Sequence, residues 1–169
     1  FNDMAGKFKG AQESLIETEK MQKEIAVAKE IQHTLLPREM PDTEGFDIAS
    51  LYRSAKEVGG DYYDVMNVGQ NLLGVIVADV SGKGVPGSLV MTITRTVFRL
   101  TAIQNKSAKS VLSKVNNFVK EDMKKGMFVT AFYLVLDSVT REINFASAGH
   151  DPLIIYRAKE DKCYYVKPK

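Results

Sequence analysis

Apolar positions in the first forty residues follow the period of a helix, unlike those in the rest of the chain. They recur roughly three and four residues apart in a stretch rich in Glu, Lys, Gln and Ala, at Leu15, Met21, Ile25, Ala28, Ile31 and Leu35. This spacing predicts one long amphipathic helix over about residues 2–36, which Pro37 and Pro41 would end. The narrow stripe leaves two interpretations open. The helix forms a two-stranded coiled coil with Leu15, Ile25 and Leu35 at the seam, or it packs on its own domain.

From Phe46 onward, short apolar runs separated by turn residues predict strands. The first run covers residues 46–55. The next two, over 60–68 and 71–80, are joined through the sequence NVGQN and predict a hairpin. Leu72–Val80 is apolar on both faces, which is typical of a central, buried strand.

Two consecutive helices and four more strands follow. The first helix is predicted over 88–103, with an inward stripe of Leu89, Ile93, Val97 and Leu100. The second has Ser107 as its N-cap and Gly126 as its end, with a stripe of Val111, Val115, Phe118 and Val119. The last strands are predicted over 128–137, 141–149, 152–158 and 162–167. Strands and helices in separate blocks predict an α+β fold with mainly antiparallel sheets, in which residues 1–40 form a helical linker and 41–169 a compact domain.

Composition narrows the classes of function. The chain has 169 residues, of which 44% are hydrophobic, and these suffice for one domain with a real core. The net charge is +2, and no basic run is interleaved with aromatic residues, which argues against nucleic-acid binding. No apolar stretch approaches the roughly 20 residues that span a bilayer, and no signal peptide is visible at Phe1. The single cysteine, Cys163, fits a reducing and therefore cytoplasmic compartment.

Three glycines in the order G-x-G-x-x-G, at Gly82, Gly84 and Gly87, outline a dinucleotide-binding turn. Such a turn needs a strand after its helix and an acidic residue about 20 positions on, which binds the ribose. Here a second helix follows the first, and no acidic residue lies between Asp79 and Glu121. Because both the strand and the acidic residue are missing, the sequence argues against a nucleotide site.

Two aspartates beside these glycines suggest different chemistry. Asp61 follows Gly59 and Gly60 at the start of one predicted strand, and Asp79 lies at the end of the adjacent one. A hairpin would bring both carboxylates to the same end of the sheet, where without compensation one would have to protonate. A hard divalent cation such as Mg²⁺ or Mn²⁺ removes this conflict. The alternative is that Asp61 is a turn residue and Asp79 caps the following loop.

Five segments, which occur in the same order as in a known family, carry a resemblance to that family. They read AKEIQHTLLP, SAKEVGGDYYDV, VADVSGKGVPGSLVM, MFVTAF and SAGHDPL. Together they resemble the bacterial PPM-type phosphatases of the SpoIIE/RsbU group, relatives of the PP2C serine/threonine phosphatases. The resemblance covers the chain from about Ala28 to its end.

The resemblance implies a PP2C-like β-sandwich flanked by helices, with two Mn²⁺ or Mg²⁺ ions at one end of the sheets. A water between the ions attacks phosphorus in line. By the same resemblance Asp61 bridges the two ions, Asp79 ligates one of them, and the backbone carbonyl of Val80 is a further ligand. These two aspartates are thus the expected catalytic and metal-binding side chains, and no protein nucleophile is needed.

The roles expected of the residues around these ligands are less specific. Lys56 and Lys83 flank the carboxylates and either meet the substrate phosphate or face solvent. Glu57 and Gly60 are expected in the surroundings of the metal ligands. His150 either donates a proton to the leaving group or is a turn residue that bonds to backbone.

The implied activity is hydrolysis of phosphoserine or phosphothreonine in a protein. In this group the substrate is an anti-sigma-factor antagonist of the STAS type, within partner-switching signalling of the kind used in stress responses. The N-terminal helix resembles linkers to upstream sensor domains, so a sensor, anchored in a membrane or not, and a homodimer are expected. The alternative is a dimeric signalling or interaction module with weak or no catalysis, similar to a pseudophosphatase.

One feature departs from the family pattern. The family's catalytic module continues into a strand ending in an Asp-Gly turn that supplies another metal aspartate, and this chain contains no Asp-Gly pair. We therefore expect the chain to correspond to the N-terminal part of the module, C-terminally truncated, with two of its metal aspartates.

Overall fold

A computed structural model describes residues 2–54 and 57–167, with side chains in the first helix from Gly6 onward. The N-terminal helix α1 spans Asn2–Leu35 and is followed by the strands β1, Tyr62–Gly69, and β2, Leu72–Val80. Two helices come next, α2 over Val85–Ala102 and α3 over Ala108–Asp122. Four strands complete the described chain: β3 Val129–Asp137, β4 Ile143–Ala148, β5 Leu153–Arg157 and β6 Lys162–Val166. The predicted α+β class is confirmed.

The strands form two antiparallel sheets, one with the order β1-β2-β3-β4 and one made of β5 and β6. The predicted hairpin is present as β1 and β2, which turn at Gln70 and Asn71. Asn71 has φ 56, a left-handed conformation that asparagine tolerates better than most residues. Strand β2 pairs with β1 on one side and β3 on the other, which confirms its predicted central position.

The four-stranded sheet buries both of its faces, but unequally. Helices α2 and α3 cover one face, and the main core lies between them and the sheet around Tyr62, Ile76, Phe98, Val111 and Tyr133. The other face carries a smaller cluster of Val65, Leu73 and Leu136, covered by Met40, Phe46 and Ile48. Val77 on this face remains 48% exposed, so part of the face is open.

The strand predicted over residues 46–55 is wrong for the residues that the structure describes. Within 46–54 the backbone pairs with no strand, apart from an isolated bridge between Thr43 and Phe46. The alternating apolar residues Phe46 and Ile48 do not belong to a strand, and their side chains pack on the face of the sheet. The alternation of apolar residues in this segment therefore reflects one buried face, and the segment forms no hydrogen-bonded ladder with a strand.

Of the inward stripe predicted for α2, Val97 is half-buried and packs against the core, but the other three residues are exposed. Leu89 is 60% and Leu100 is 73% exposed, and Ile93 is exposed as well. The buried face instead comprises Gly87, Val90, Met91, Thr94, Phe98 and Ala102. This face includes a threonine whose hydroxyl donates to the Val90 carbonyl at 2.8 Å, which removes the cost of burying it. A purely apolar stripe was therefore a misleading guide to the face that packs.

Helix α3 follows its prediction more closely. Ser107 is the N-cap, and its hydroxyl accepts a hydrogen bond from the Ser110 amide at 3.2 Å. Val111, Val115 and Val119 are buried as predicted, whereas Phe118 is exposed and Leu112 takes its place in the core.

Helix α1 meets the domain at its C-terminal end. Ile25, Ala28 and Leu35 are half-buried, and Gln32 and Leu36 are buried. Towards the N-terminus the side chains are exposed, including Phe8, Leu15, Ile16 and Met21. Packing on its own domain therefore holds for the last turns of the helix, and the coiled coil stays a prediction for the rest.

Among the residues that the structure describes, no helix has both the length and the apolar character needed to cross a membrane.

Candidate metal centre and active site

Asp61 and Asp79 face each other at one end of the β1–β2 hairpin. The last pair in the ladder is Tyr62 with Ala78, so Asp61 and Asp79 occupy the next opposing positions. Alternate residues of a strand share a face, which places both aspartates on the sheet face opposite α2 and α3. The sequence prediction that the hairpin brings these residues together agrees with this register.

The two carboxylates lie close enough together to change the pKa of Asp61. Burial raises the pKa of Asp61 above its ordinary value, and both hydrogen bonding to Asp79 and the charge of Asp79 raise it further. The charge of His150 acts in the opposite direction. Two carboxylates this close gain from a cation, because the cation favours the ionised form of both groups.

Glycines bring the backbone of two loops into close contact at this point. A Cβ on Gly60 would lie 2.7 Å from the Val80 carbonyl oxygen, and one on Gly87 would lie 2.5 Å from the Gly82 carbonyl oxygen. Gly82 and Gly84 have φ of 121 and 76, which other residues rarely adopt. The three glycines of the G-x-G-x-x-G pattern therefore serve a tight loop packed on Gly60.

A small cleft opens beside this glycine contact. Its volume is about 260 Å³, and its lining includes Gly60, Asp61, Asp79, Val80 and Lys83. Lys83 is exposed at this cleft. Glu57 is solvent-exposed, and Lys56 lies outside the described residues.

A second, larger cleft shares the two aspartates. It has a volume of about 560 Å³ and runs along the open sheet face past Tyr63, Val77 and His150. Tyr52 and Tyr63 lie on its wall with ring centroids 6.0 Å apart. Burial and the nearby charge of Asp61 raise the pKa of the Tyr52 hydroxyl. The two carboxylates thus line both clefts.

His150 forms a turn and also lies beside the carboxylate pair, and its predicted role as a proton donor stays a prediction. Its amide donates to the Ser147 hydroxyl at 3.2 Å, and that hydroxyl is 3.3 Å from the His150 carbonyl, as expected of a turn residue. Its ring Nδ1 is 2.9 Å from the hydroxyl of Thr130, the residue paired with Asp79 in the sheet. The ring is therefore held near the carboxylate pair.

The donor set suits a hard divalent ion. Two carboxylates and the Val80 carbonyl present oxygen atoms, which Mg²⁺ and Mn²⁺ prefer and usually supplement with water. The close approach of Gly60 to Val80 leaves no room there for a side chain. Residues 2–54 and 57–167 contain no cluster of three or more His, Cys, Asp or Glu side chains suited to a metal, so this candidate site relies on two acidic side chains.

Two residues at the site are not identified by the sequence motifs. Thr130 is recognisable only from its pairing with Asp79 across strands. Gln32 is buried in α1 and bonds to the backbone of Gly59, next to the aspartate loop. Its position did carry a signal, because a glutamine four residues after Ala28 and three before Leu35 lies on the helical stripe that packs.

Comparison with known proteins finds relatives of this chain in one family. The family model of stage II sporulation protein E (SpoIIE) matches residues 69–169. The phosphoserine phosphatase RsbU of Bacillus subtilis (strain 168) is 30% identical over 151 residues, which cover 89% of this chain and 45% of that protein. The phosphoserine phosphatase RsbP of the same organism is 25% identical over 136 residues, covering 78% of this chain and 34% of RsbP. The chain thus spans less than half the length of these curated relatives.

Solved structures share the fold. The RsbU and RsbW domains of Rv1364c from Mycobacterium tuberculosis align with a TM-score of 0.60 and 28% identity, over 69% of this chain and 32% of that chain. The SiaA-PP2C domain of Pseudomonas aeruginosa aligns with a TM-score of 0.66 and 24% identity, over 78% of this chain and 55% of that chain. The fold is therefore PP2C-like, and the chain belongs to the SpoIIE family.

Proposed function

We propose that this chain contributes the metal-binding loops of a protein phosphatase that hydrolyses phosphoserine or phosphothreonine with Mn²⁺ or Mg²⁺. The observation that supports the proposal is the pair Asp61 and Asp79, which meet at the end of the hairpin where the pKa of Asp61 is raised. The relatives RsbU and RsbP, both described as phosphoserine phosphatases, support the same reaction class.

Asp61, Asp79 and the Val80 carbonyl would hold the metal, with two ions expected in the complete module. When bound, such ions lower the pKa of water and neutralise charge on a phosphoryl group. The protein's own contribution is to fix the donors. The hairpin register sets the distance between the aspartates, and Gly60 allows the Asp61 loop to lie against Val80.

Neighbouring residues would place the substrate. Lys83 stands at the smaller cleft and would attract the phosphate by charge. The larger cleft past Tyr63 and Val77 would accept the polypeptide that carries the phosphorylated residue. His150, which Thr130 holds beside the carboxylates, is placed to interact with the leaving oxygen.

For the biological substrate we propose a phosphorylated STAS-type antagonist of an anti-sigma factor, handled in the cytoplasm. Similarity to RsbU and to a protein that carries both RsbU and RsbW domains supports a partner-switching role. The exposed length of α1 would connect this domain to an upstream sensor.

The test is phosphate release from a phosphoserine protein by the intact protein, with and without Mn²⁺. Asp61→Asn and Asp79→Asn are each expected to lower Mn²⁺-dependent turnover by about 100-fold or more, because the ion supplies several kcal/mol of charge stabilisation. Asp122→Asn, on the exposed end of α3, is the matched control and should retain activity. Unchanged turnover in Asp61→Asn would show that the metal role is wrong.

A second candidate function is a dimeric signalling module with weak or no catalysis. Exposed apolar side chains along α1, such as Leu15 at 66% and Met21 at 60%, favour it. A metal-loaded protein that dimerises but releases no phosphate from any phosphoserine protein supplied would support this candidate over the phosphatase.

A further inference from the structure

Gln32 is one of three buried polar or charged side chains among the described residues, with 6% of its surface exposed. Its amide forms two hydrogen bonds with a single peptide segment 27 positions along the chain. Nε2 donates to the Gly59 carbonyl at 2.6 Å, and the Gly59 amide donates to Oε1 at 3.0 Å. One side chain thus satisfies both backbone polar groups of Gly59.

This bonded segment leads directly to the candidate metal ligands. Gly60 and Asp61 follow Gly59 in the chain, and successive Cα atoms are 3.8 Å apart. Gly60 already rests on the Val80 carbonyl, as the 2.7 Å approach of a built Cβ shows. The glycine pair is therefore held from two sides, by Gln32 on one and by the Asp79 loop on the other.

The space around Gly59 leaves little freedom to move. A Cβ on Gly59 would lie 2.9 Å from the Ser54 hydroxyl oxygen and 3.1 Å from the Tyr52 hydroxyl oxygen. Both hydroxyl oxygens are buried. Without Gln32, the Gly59 backbone groups would have to find new partners in this confined space, or move towards water.

The end of α1 is itself anchored. Leu36 is buried in the core, and Arg95 of α2 donates through Nε to the Leu35 carbonyl at 2.5 Å. His33 and Tyr52 meet edge to face with ring centroids 6.0 Å apart. The last turns of α1 are thus a fixed support from which Gln32 reaches the loop.

We infer that Gln32 is a positioning residue for Asp61: its two hydrogen bonds to Gly59 hold the Gly59–Gly60–Asp61 segment where Asp61 can share a metal ion with Asp79. The inference rests on the proposed function, because it concerns the same metal site. It adds that affinity for the ion depends on a side chain of the N-terminal helix that does not touch the ion.

The test compares Gln32→Met with the intact wild-type protein. Methionine keeps the length of the side chain and removes both hydrogen bonds. The matched control is Gln22→Met, at an exposed position of the same helix. Free Mn²⁺ in a titration is counted by electron paramagnetic resonance, and exchange of the Gly59 amide hydrogen is followed in metal-free protein.

We expect Gln32→Met to bind Mn²⁺ about 10- to 100-fold more weakly, the range seen when supporting contacts of metal ligands are removed, and to exchange the Gly59 amide faster. Turnover at saturating Mn²⁺ should recover most of the wild-type kcat, because the ligands themselves are intact. Gln22→Met should match the wild type in all three measurements. If Gln32→Met does not fold, Gln32→Asn replaces it, since its amide is one methylene too short to reach Gly59.

Wild-type Mn²⁺ affinity in a folded Gln32 variant overturns the inference and leaves the proposed function standing. So does weaker binding with an unchanged rate of Gly59 exchange, because the effect would then not pass through this segment. If instead the wild-type protein binds no Mn²⁺, or Asp61→Asn binds it equally well, the proposed function fails and the inference fails with it.

Discussion

At the scale of single residues, Gly60 shows how closely the candidate metal centre is built. Its Cα lies against the backbone of the loop after β2, so that a Cβ would be 2.7 Å from the Val80 carbonyl oxygen and 3.0 Å from the Val80 Cβ. Backbone atoms cannot swing away as a flexible side chain can. The missing side chain therefore allows the Asp61 and Asp79 loops to approach each other.

We predict that Gly60→Ala destabilises the fold by about 1–3 kcal/mol, the usual cost of an extra methyl group in a packed site. It should also weaken Mn²⁺ binding, because the added methyl group pushes the Asp61 loop away from Val80. Gly10→Ala is the matched control. No atom lies within 4 Å of a Cβ at Gly10, and alanine in an exposed helix is favoured over glycine by about 1 kcal/mol.

Urea denaturation and a calorimetric Mn²⁺ titration measure the two effects separately. Equal stability of Gly60→Ala and the wild type would contradict the close packing seen here. Lost stability with unchanged Mn²⁺ affinity would instead detach the glycine from the metal site.

The sequence could predict the meeting of Asp61 and Asp79 because the signal is local. A short turn fixes the hairpin register, and the register places both residues at the same end and face. The contacts of Gln32 with Gly59 and of His150 with Thr130 span 27 and 20 positions. They depend on how separate elements pack, which no local pattern records.

At the scale of elements, a buried ion pair fixes α2 on β1. Asp64 of β1 is fully buried and accepts two hydrogen bonds from Arg99 of α2, at 2.6 and 2.9 Å. The Tyr62 hydroxyl donates to the same carboxylate at 2.7 Å, and burial, followed by the charge of Asp64, raises the pKa of Tyr62. Because α2 begins just after the Asp79 loop and Asp64 lies three residues after Asp61, this pair ties together the elements that carry both ligands.

Arg99→Met is predicted to destabilise the protein by about 3 kcal/mol, because it leaves the Asp64 charge buried without a cationic partner. The Arg99 side chain is 38% exposed, so the effect should lie at the low end for buried pairs. Adding Asp64→Asn removes the stranded charge and keeps an acceptor for Tyr62, and it should recover a substantial part of the loss. Chemical denaturation of the two single variants and the double variant measures this.

Lys120→Met serves as the control, because it removes an exposed cation from α3, where a change within about 0.5 kcal/mol is expected. Additive losses in the single and double variants would show that Asp64 and Arg99 do not act as a pair.

Elements were predicted well where a pattern had one physical solution. Strands β1 to β6 followed their apolar runs, and Ser107 capped α3 as expected. Helix α2 had two candidate faces, and the sheet took the one with Met91 and Phe98, leaving Leu89 exposed. The shape of the sheet surface and the hydrogen bonding of polar residues such as Thr94 decide which face is buried. The spacing of apolar residues along the helix contains neither kind of information.

At the scale of the whole molecule, α1 extends beyond the surface that supports it. Of the three predicted seam residues, Ile25 and Leu35 are already half-buried against the domain, whereas Leu15 is 66% exposed. Phe8, Ile16 and Met21 are also exposed along this part of the helix. An isolated helix of this length gains most of its stability from packing, so a second copy is the partner expected to cover it.

We predict that Leu15→Glu converts a dimer into a monomer, because a charged side chain at the seam would be buried without a partner. Multi-angle light scattering of the intact protein measures the mass directly. The free energy of unfolding of the domain should change by less than about 0.5 kcal/mol, as is usual for exposed positions, since Leu15 is remote from the buried end of α1.

Lys20→Glu introduces the same side chain on another side of the helix and should leave the dimer intact. A wild-type monomer, or a Leu15→Glu protein that remains dimeric, would remove Leu15 from the interface and leave the exposed part of α1 to contact a different partner, such as an upstream sensor.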